Sequence, residues 1–234
     1  MASSDVRTSE SWNMENREIM NCALCETRRP RRYCPGVRGE ICPVCCGTSR
    51  EVTVNCPLEC PHLQDARQHE KAPQPDPERL PNSDVSITER FLADNAQLLT
   101  LTCQSLLRIA LGSAGAVDND VREALDALAR TYRTLETGLI YETRPANLLA
   151  AGIQQRLRGE LDEARKQLRE DAGMETVRDA DVLGVLVMLQ RMEFTRNNGR
   201  PRGRAFIDFL RREFSEFAPP GPIDTGESGL IVPG

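Results

Sequence analysis

The chain has 234 residues, a mass of 26.1 kDa and a net charge of −5, with 39% hydrophobic and 28% charged side chains. That is room for one small module and one ordinary domain, with enough aliphatic side chain for a core although aromatic content is only 4%. The negative charge excludes binding to nucleic acid by bulk charge alone, and no run approaches the ~18 apolar residues that would span a membrane. Of the 30 basic residues, 28 are arginine. This reads first as composition bias, because arginine and lysine solvate a surface equally well.

In chain order, residues 1–20 are polar and expected to be disordered, with Trp12 a local anchor. The opening Met-Ala-Ser-Ser-Asp-Val-Arg-Thr has no apolar stretch and is not expected to act as a secretory signal. Residues 21–70 form a cysteine-rich module. Residues 71–82 are a stiff Pro-rich linker, with four prolines between Lys71 and Pro81. Residues 83–217 carry helical periodicity throughout, and 218–234 form a Pro/Gly-rich flexible tail.

Within 83–217, Ser86 to Glu89 fits a capping box opening an apolar helix through Leu92, Leu98 and Leu106, which Gly112 to Gly115 should end. Val121, Leu125, Leu128, Tyr132, Leu135 and Leu139 form a seam for another helix, within the domain or in a homodimer. A third helix opens near Pro145, runs through Ile153, Leu157, Leu161 and Leu168, and stops at Gly173. Val182–Leu189 is apolar on nearly all sides; with Asp179 and Asp181 as caps it reads as a buried central helix rather than a strand. The last helix puts Phe206, Phe209, Leu210, Phe214 and Phe217 on one face. The expected fold is mainly α: a small zinc-stabilised N-terminal module, then an irregular bundle of four to five helices.

Eight of the nine cysteines lie between Cys22 and Cys60, spaced C-x2-C-x8-C-x7-C-x2-C-C-x9-C-x3-C, with His62 two residues beyond. So few large apolar side chains cannot fold such a segment by burial alone, so a crosslink is required. In a reducing cytoplasm, the expected compartment, clustered cysteines mean metal rather than disulfides. Cys22/Cys25 and Cys42/Cys45 are C-x2-C knuckles that offer two thiolates to one ion. The candidate metal ligands are Cys22, Cys25, Cys34, Cys42, Cys45, Cys46, Cys56, Cys60 and His62, enough for two zinc ions. The first would take Cys22, Cys25, Cys42 and Cys45 or Cys46. The second would take Cys34, Cys56, Cys60 and either His62 or the spare cysteine. An iron–sulfur cluster is the competing use of four thiolates. Cys103, among leucines, reads as a small core residue and His69 as a solvated one. A zinc held by four protein ligands has no open position for substrate, which points to structure rather than hydrolysis.

The strings Arg32-Tyr33-Cys34-Pro35, Ile41-Cys42-Pro43-Val44-Cys45-Cys46-Gly47, Arg50-Glu51-Val52 and Cys56-Pro57-Leu58-Glu59-Cys60-Pro61-His62-Leu63 resemble an uncharacterised bacterial family, as do Thr134–Gly138 and Asn198–Arg204. That family places such a cysteine module ahead of a helical domain. The resemblance covers most of the chain and implies this architecture without implying an activity. A second similarity is to HIT-type and B-box zinc fingers, which interleave two ions and mostly bind proteins. The chain departs from both in its C-x7-C gap and its Cys45-Cys46 doublet, so no residue's role is carried over.

Two basic segments qualify as nucleic-acid contacts: Arg28, Arg29, Arg31, Arg32, Arg38 and Arg50 with Tyr33 to stack a base, and Arg200, Arg202 and Arg204 in a Gly/Asn-rich loop. Against this, arginine runs between helices are usually solvated connections. Asp179, Asp181 and Glu193 do not share a helical face, and no histidine lies outside the neighbourhood of the module, so no acid–base pair can be nominated. The leading expectation is a non-catalytic zinc-binding protein that acts by protein interaction or regulation, with an unidentified protein partner. The alternatives are an RNA- or DNA-binding protein and a redox sensor built on Cys45/Cys46.

Overall fold

Apolar side chains at helical spacing collect on one another through most of the chain's length, and the computed structural model is accordingly mainly α-helical. It describes residues 21–70, 76–172 and 177–214. The expectations for residues 1–20, Trp12, the start of the linker, Gly173, Phe217 and the 218–234 tail lie outside them. Contacts divide the chain into two units, Met1–His69 and Glu70–Gly234. Among the described residues there are eight α-helices and one two-stranded sheet.

The first unit opens with an antiparallel hairpin, β1 (Arg32–Cys34) and β2 (Gly39–Ile41), paired Arg32 with Ile41 and Cys34 with Gly39. Helix α1 (Pro43–Ser49) follows, then a turn in which the amides of Val52, Thr53 and Val54 all donate to the Ser49 carbonyl, and then α2 (Pro61–His69). Its apolar core is small: Ile41, Val54, Leu58 and Leu63 are buried. Glu51, fully buried with φ near +55°, accepts from Arg67 at 2.6 Å and so ties the turn to α2. Gly36 at the hairpin tip has no room for a side chain, since a Cβ there would lie 2.4 Å from the Asn55 carbonyl oxygen. The hairpin therefore rests directly on the stretch leading to Cys56.

The second unit contains α3 (Glu89–Asp94), α4 (Ala96–Leu111), α5 (Asp118–Glu136), α6 (Leu148–Ala172), α7 (Asp179–Arg196) and α8 (Ala205–Glu213). Thr88, not Ser86, caps α3: its hydroxyl accepts from the Phe91 amide at 3.1 Å. The single helix expected here is broken at Asn95, whose side-chain amide donates to the Phe91 carbonyl at 3.0 Å and competes with the backbone ladder. Gly112 ends α4 as expected. The α5 seam is shorter than the periodicity implied. Val121, Leu125, Leu128 and Tyr132 are buried, but Gly138 at φ +77° turns the chain and leaves Leu139 outside the helix, 64% exposed.

Pro145 likewise lies in a connection rather than in a first turn. Asn147 opens α6, accepting from the Leu149 amide at 2.9 Å while donating to Asp120 at 2.6 Å. Helix α7 packs on α4, α5 and α8, and Val182 to Val187 are buried all round, as the absence of a polar face required. Its glycine is dictated by packing: a Cβ on Gly184 would lie 2.3 Å from the Phe91 ring. The linker's end is anchored, since Arg191 donates to the carbonyls of Pro81, Asn82 and Val85.

The basic 197–204 segment is a folded connection. Asn197 donates to the buried Glu193, the Gly199 amide to Asn197, the Arg200 amide to Asn198, and the Gly203 amide to the Arg200 carbonyl. It delivers α8 to Asp118, whose buried carboxylate accepts from the amides of Phe206 (2.9 Å) and Ile207 (3.1 Å). One residue thus starts α5 and caps α8. Asp118→Ala is expected to lower unfolding free energy by about 2 kcal/mol, with Asp118→Asn costing less; urea denaturation with an unchanged slope checks this. Gly184→Ala, which displaces the Phe91 ring, is expected to cost about 1–3 kcal/mol in the same measurement.

Candidate metal centre

Each knuckle is shaped by its own backbone. The first turns tightly because the Glu26 amide donates to the Cys22 carbonyl at 2.8 Å, with Glu26 itself at φ +55°. The Ala23 amide then ties this turn to β2 through the Glu40 carbonyl at 2.9 Å. The second knuckle is the opening of α1. Cys42 is its N-cap, Pro43 supplies the preset φ of a first helical residue, and the Cys45 amide donates to the Cys42 sulfur at 3.4 Å. Neighbouring helix positions differ by about 100°, so Cys45 and Cys46 point different ways, and it is the Cys45 sulfur that joins those of Cys22, Cys25 and Cys42. Of the doublet, Cys45 completes the four-sulfur group, while Cys46 stands outside it.

Together the knuckles bring the sulfurs of Cys22, Cys25, Cys42 and Cys45 within 4.8 Å of one another, three of the four residues buried. Soft thiolate donors in a group of four suit a metal ion such as zinc, and the group can hold one. Amide donors surround the sulfurs, including the Cys42 N–H on the Cys22 sulfur at 3.2 Å. Their effects on the thiols diverge. The Thr27 hydroxyl, then the amides of Thr27 and Arg28, draw Cys25 down to about 5. Burial pushes Cys22 up, but the amides of Cys42, Leu24 and Cys25 outweigh it and leave the thiol below its ordinary range. Cys45 is pushed up to about 12, first by its hydrogen bond to Cys42 and then by burial. Four adjacent sulfurs cannot all carry charge without a cation. Arg28 contributes positive charge: a hydrogen bond to Cys42, then the charges of Cys25 and Cys42, raise its pKa.

The other sequence candidates fall in several places. Cys34, Cys46, Cys56, Cys60 and His62 line one small cavity in the first unit, although no comparably tight group forms among the described residues outside the first four cysteines. Arg32 and Arg50 each approach the Cys46 sulfur at 3.8 Å. Arg28, Arg32 and Arg50 thus face sulfur, while Arg29, Arg31 and Arg38 are exposed and Tyr33 is 58% exposed. In the second unit Arg202 is exposed, and Arg200 and Arg204 are half-buried in the 197–204 connection. His69 is exposed beside Asp65, and Cys103 is a buried core residue whose thiol burial pushes up to about 12. Asp179 pairs with Arg165, Asp181 with Arg178 and Glu193 with Arg122, so the three carboxylates that sequence could not join hold the helices instead.

Sequence reasoning missed Thr27, and it read Arg28, Arg32 and Arg50 as candidate nucleic-acid contacts rather than as partners of sulfur. Their only signal for that role was proximity to cysteines. It also missed an exposed apolar stretch after α5: Leu139, Ile140, Tyr141 and Leu148, with Ile140 95% exposed.

No family model matches the chain, and neither a curated protein nor a solved structure does.

Removing metal with a chelator under reducing conditions is expected to abolish amide protection across 22–46, including the Cys42 and Cys45 amides, while α4 to α7 keep theirs. Hydrogen exchange on the full-length protein reads both units at once.

Proposed function

We propose that this is a non-catalytic zinc protein of the cytoplasm that recognises a protein partner, with zinc holding the first unit in shape. The four-sulfur group within 4.8 Å carries this reading, because a cation bound by four protein thiolates has no position left for water or substrate. A recognition role is supported by the apolar stretch Leu139–Tyr141 with Leu148, which lies uncovered on the surface of the second unit; exposed contiguous apolar side chains mark interaction sites. Among the described residues no helix is long and apolar enough to cross a membrane. The seam Val121–Tyr132, a candidate homodimer face in the sequence, is buried within its own unit.

Nucleic-acid binding is the second reading, supported by the exposed Tyr33 close in sequence to the exposed Arg29, Arg31 and Arg38. Two measurements separate them. Affinity capture with the zinc-loaded protein is expected to recover one stoichiometric protein partner. Ile140→Ser combined with Tyr141→Ser should weaken that capture about tenfold or more with metal content unchanged. Mixed-sequence RNA and DNA are expected not to bind even at low salt. Binding that falls steeply as salt rises, and weakens with Tyr33→Ala, would replace the first reading with the second.

A further inference from the structure

The first centre leaves four thiols of the module unused, and they are not scattered. Each comes from a different place in the fold: Cys34 from the end of β1, Cys46 from the second turn of α1, Cys56 from the turn that Gly36 rests on, and Cys60 from the N-cap position of α2. All four line one cavity of about 20 Å³, the volume of roughly one water-sized sphere. The buried Ile41, Val54 and Leu63 line it too, together with Cys45 of the first group and the polar Arg32, Arg50 and His62. Four thiols around an ion-sized space are well placed as ligands.

Charge points the same way. Four thiolates on a divalent cation carry a net −2, which the apolar side chains of the wall cannot solvate. Two guanidinium groups, those of Arg32 and Arg50, stand 3.8 Å from the Cys46 sulfur and supply +2 at that edge. Arginines donating to a ligating sulfur are the kind of outer partner that orients and balances a metal site. His62 also lines the cavity, but it stands two positions after Cys60 at the start of a helix, where such neighbours do not share a face. Replacing a thiolate by histidine would also leave one guanidinium charge unbalanced.

We propose that Cys34, Cys46, Cys56 and Cys60 hold a second thiophilic divalent cation, zinc, with Arg32 and Arg50 balancing its charge and His62 outside the ligand set. This deepens the zinc reading of the first centre and rests on it. The two ligand sets interleave along the chain, so each ion closes loops that the other also constrains. Because these four sulfurs are less tightly gathered than the first four, the second ion must draw them inward and is held more weakly.

Native mass spectrometry of the full-length protein reconstituted with zinc, paired with absorption spectra of its cobalt(II) form, tests this. The expected result is two ions per chain, both cobalt ions with tetrathiolate spectra. A chelator should remove the ions in two steps, leaving the Cys42 and Cys45 amides protected after the first. His62→Ala should keep both ions. Cys46→Ser should lose the second ion or change only that ion's spectrum. One ion in the wild type, with the Cys22 group filled, overturns the second site and leaves the first intact. Loss of one ion in His62→Ala, or two unaltered tetrathiolate spectra in Cys46→Ser, overturns the ligand assignment. A wild type that binds no ion overturns the zinc reading on which the proposal stands.

Discussion

Repulsion among crowded sulfurs is the constraint around which the first unit is arranged. Cys22, Cys25, Cys42 and Cys45 stand within 4.8 Å of one another with little water between them, and such a group is stable only if its charge is met. Backbone amides meet part of it, and they can do so because both knuckles are tight turns whose N–H groups point inward. Arg28 meets another part. A divalent cation, which the group can hold, would meet the rest; structural zinc in small modules supplies about 10–16 kcal/mol of apparent folding free energy. Four buried aliphatic side chains would not hold a module of this size without such a contribution.

Arginine follows the same logic in both units. In the first it stands against sulfur and against the buried Glu51. In the second it stands against carbonyls and carboxylates: Arg191 on the chain entering α3, Arg122 on Glu193, and Arg165 on the Val177 carbonyl. A planar fork with several donors can satisfy several acceptors at once, which lysine's single ammonium cannot match in geometry. A composition that reads as bias is thus put to structural use. The buried polar links, including Gln190 between Asn82 and Asp126, then select which helices pair.

Where the elements depart from their apolar periodicity, the reason is local competition that periodicity does not register. Asn95 diverts a backbone acceptor and breaks a helix. Gly138 ends α5 before its apolar repeat ends, and Leu139, written as the next seam position, becomes surface. The 197–204 arginines, legible as a basic loop, prove to belong to a connection whose asparagines fold back on their own backbone and whose end is capped by Asp118 across 88 residues of sequence.

The helical class, the buried α7 and the two C-x2-C knuckles that could serve a metal ion were determined by sequence alone, because they depend on residue type and on spacings of a few positions: 3.6 per turn for a helix, two intervening residues for a knuckle. Tertiary structure alone decided that Cys45 rather than Cys46 completes the first group, that Cys34, Cys46, Cys56 and Cys60 meet at one cavity, and that arginines rather than solvent face the sulfur. Those outcomes depend on the phase at which α1 begins and on how closely a hairpin tip without a side chain approaches a distant turn. Such relations join residues ten to thirty positions apart, and linear spacing does not carry them.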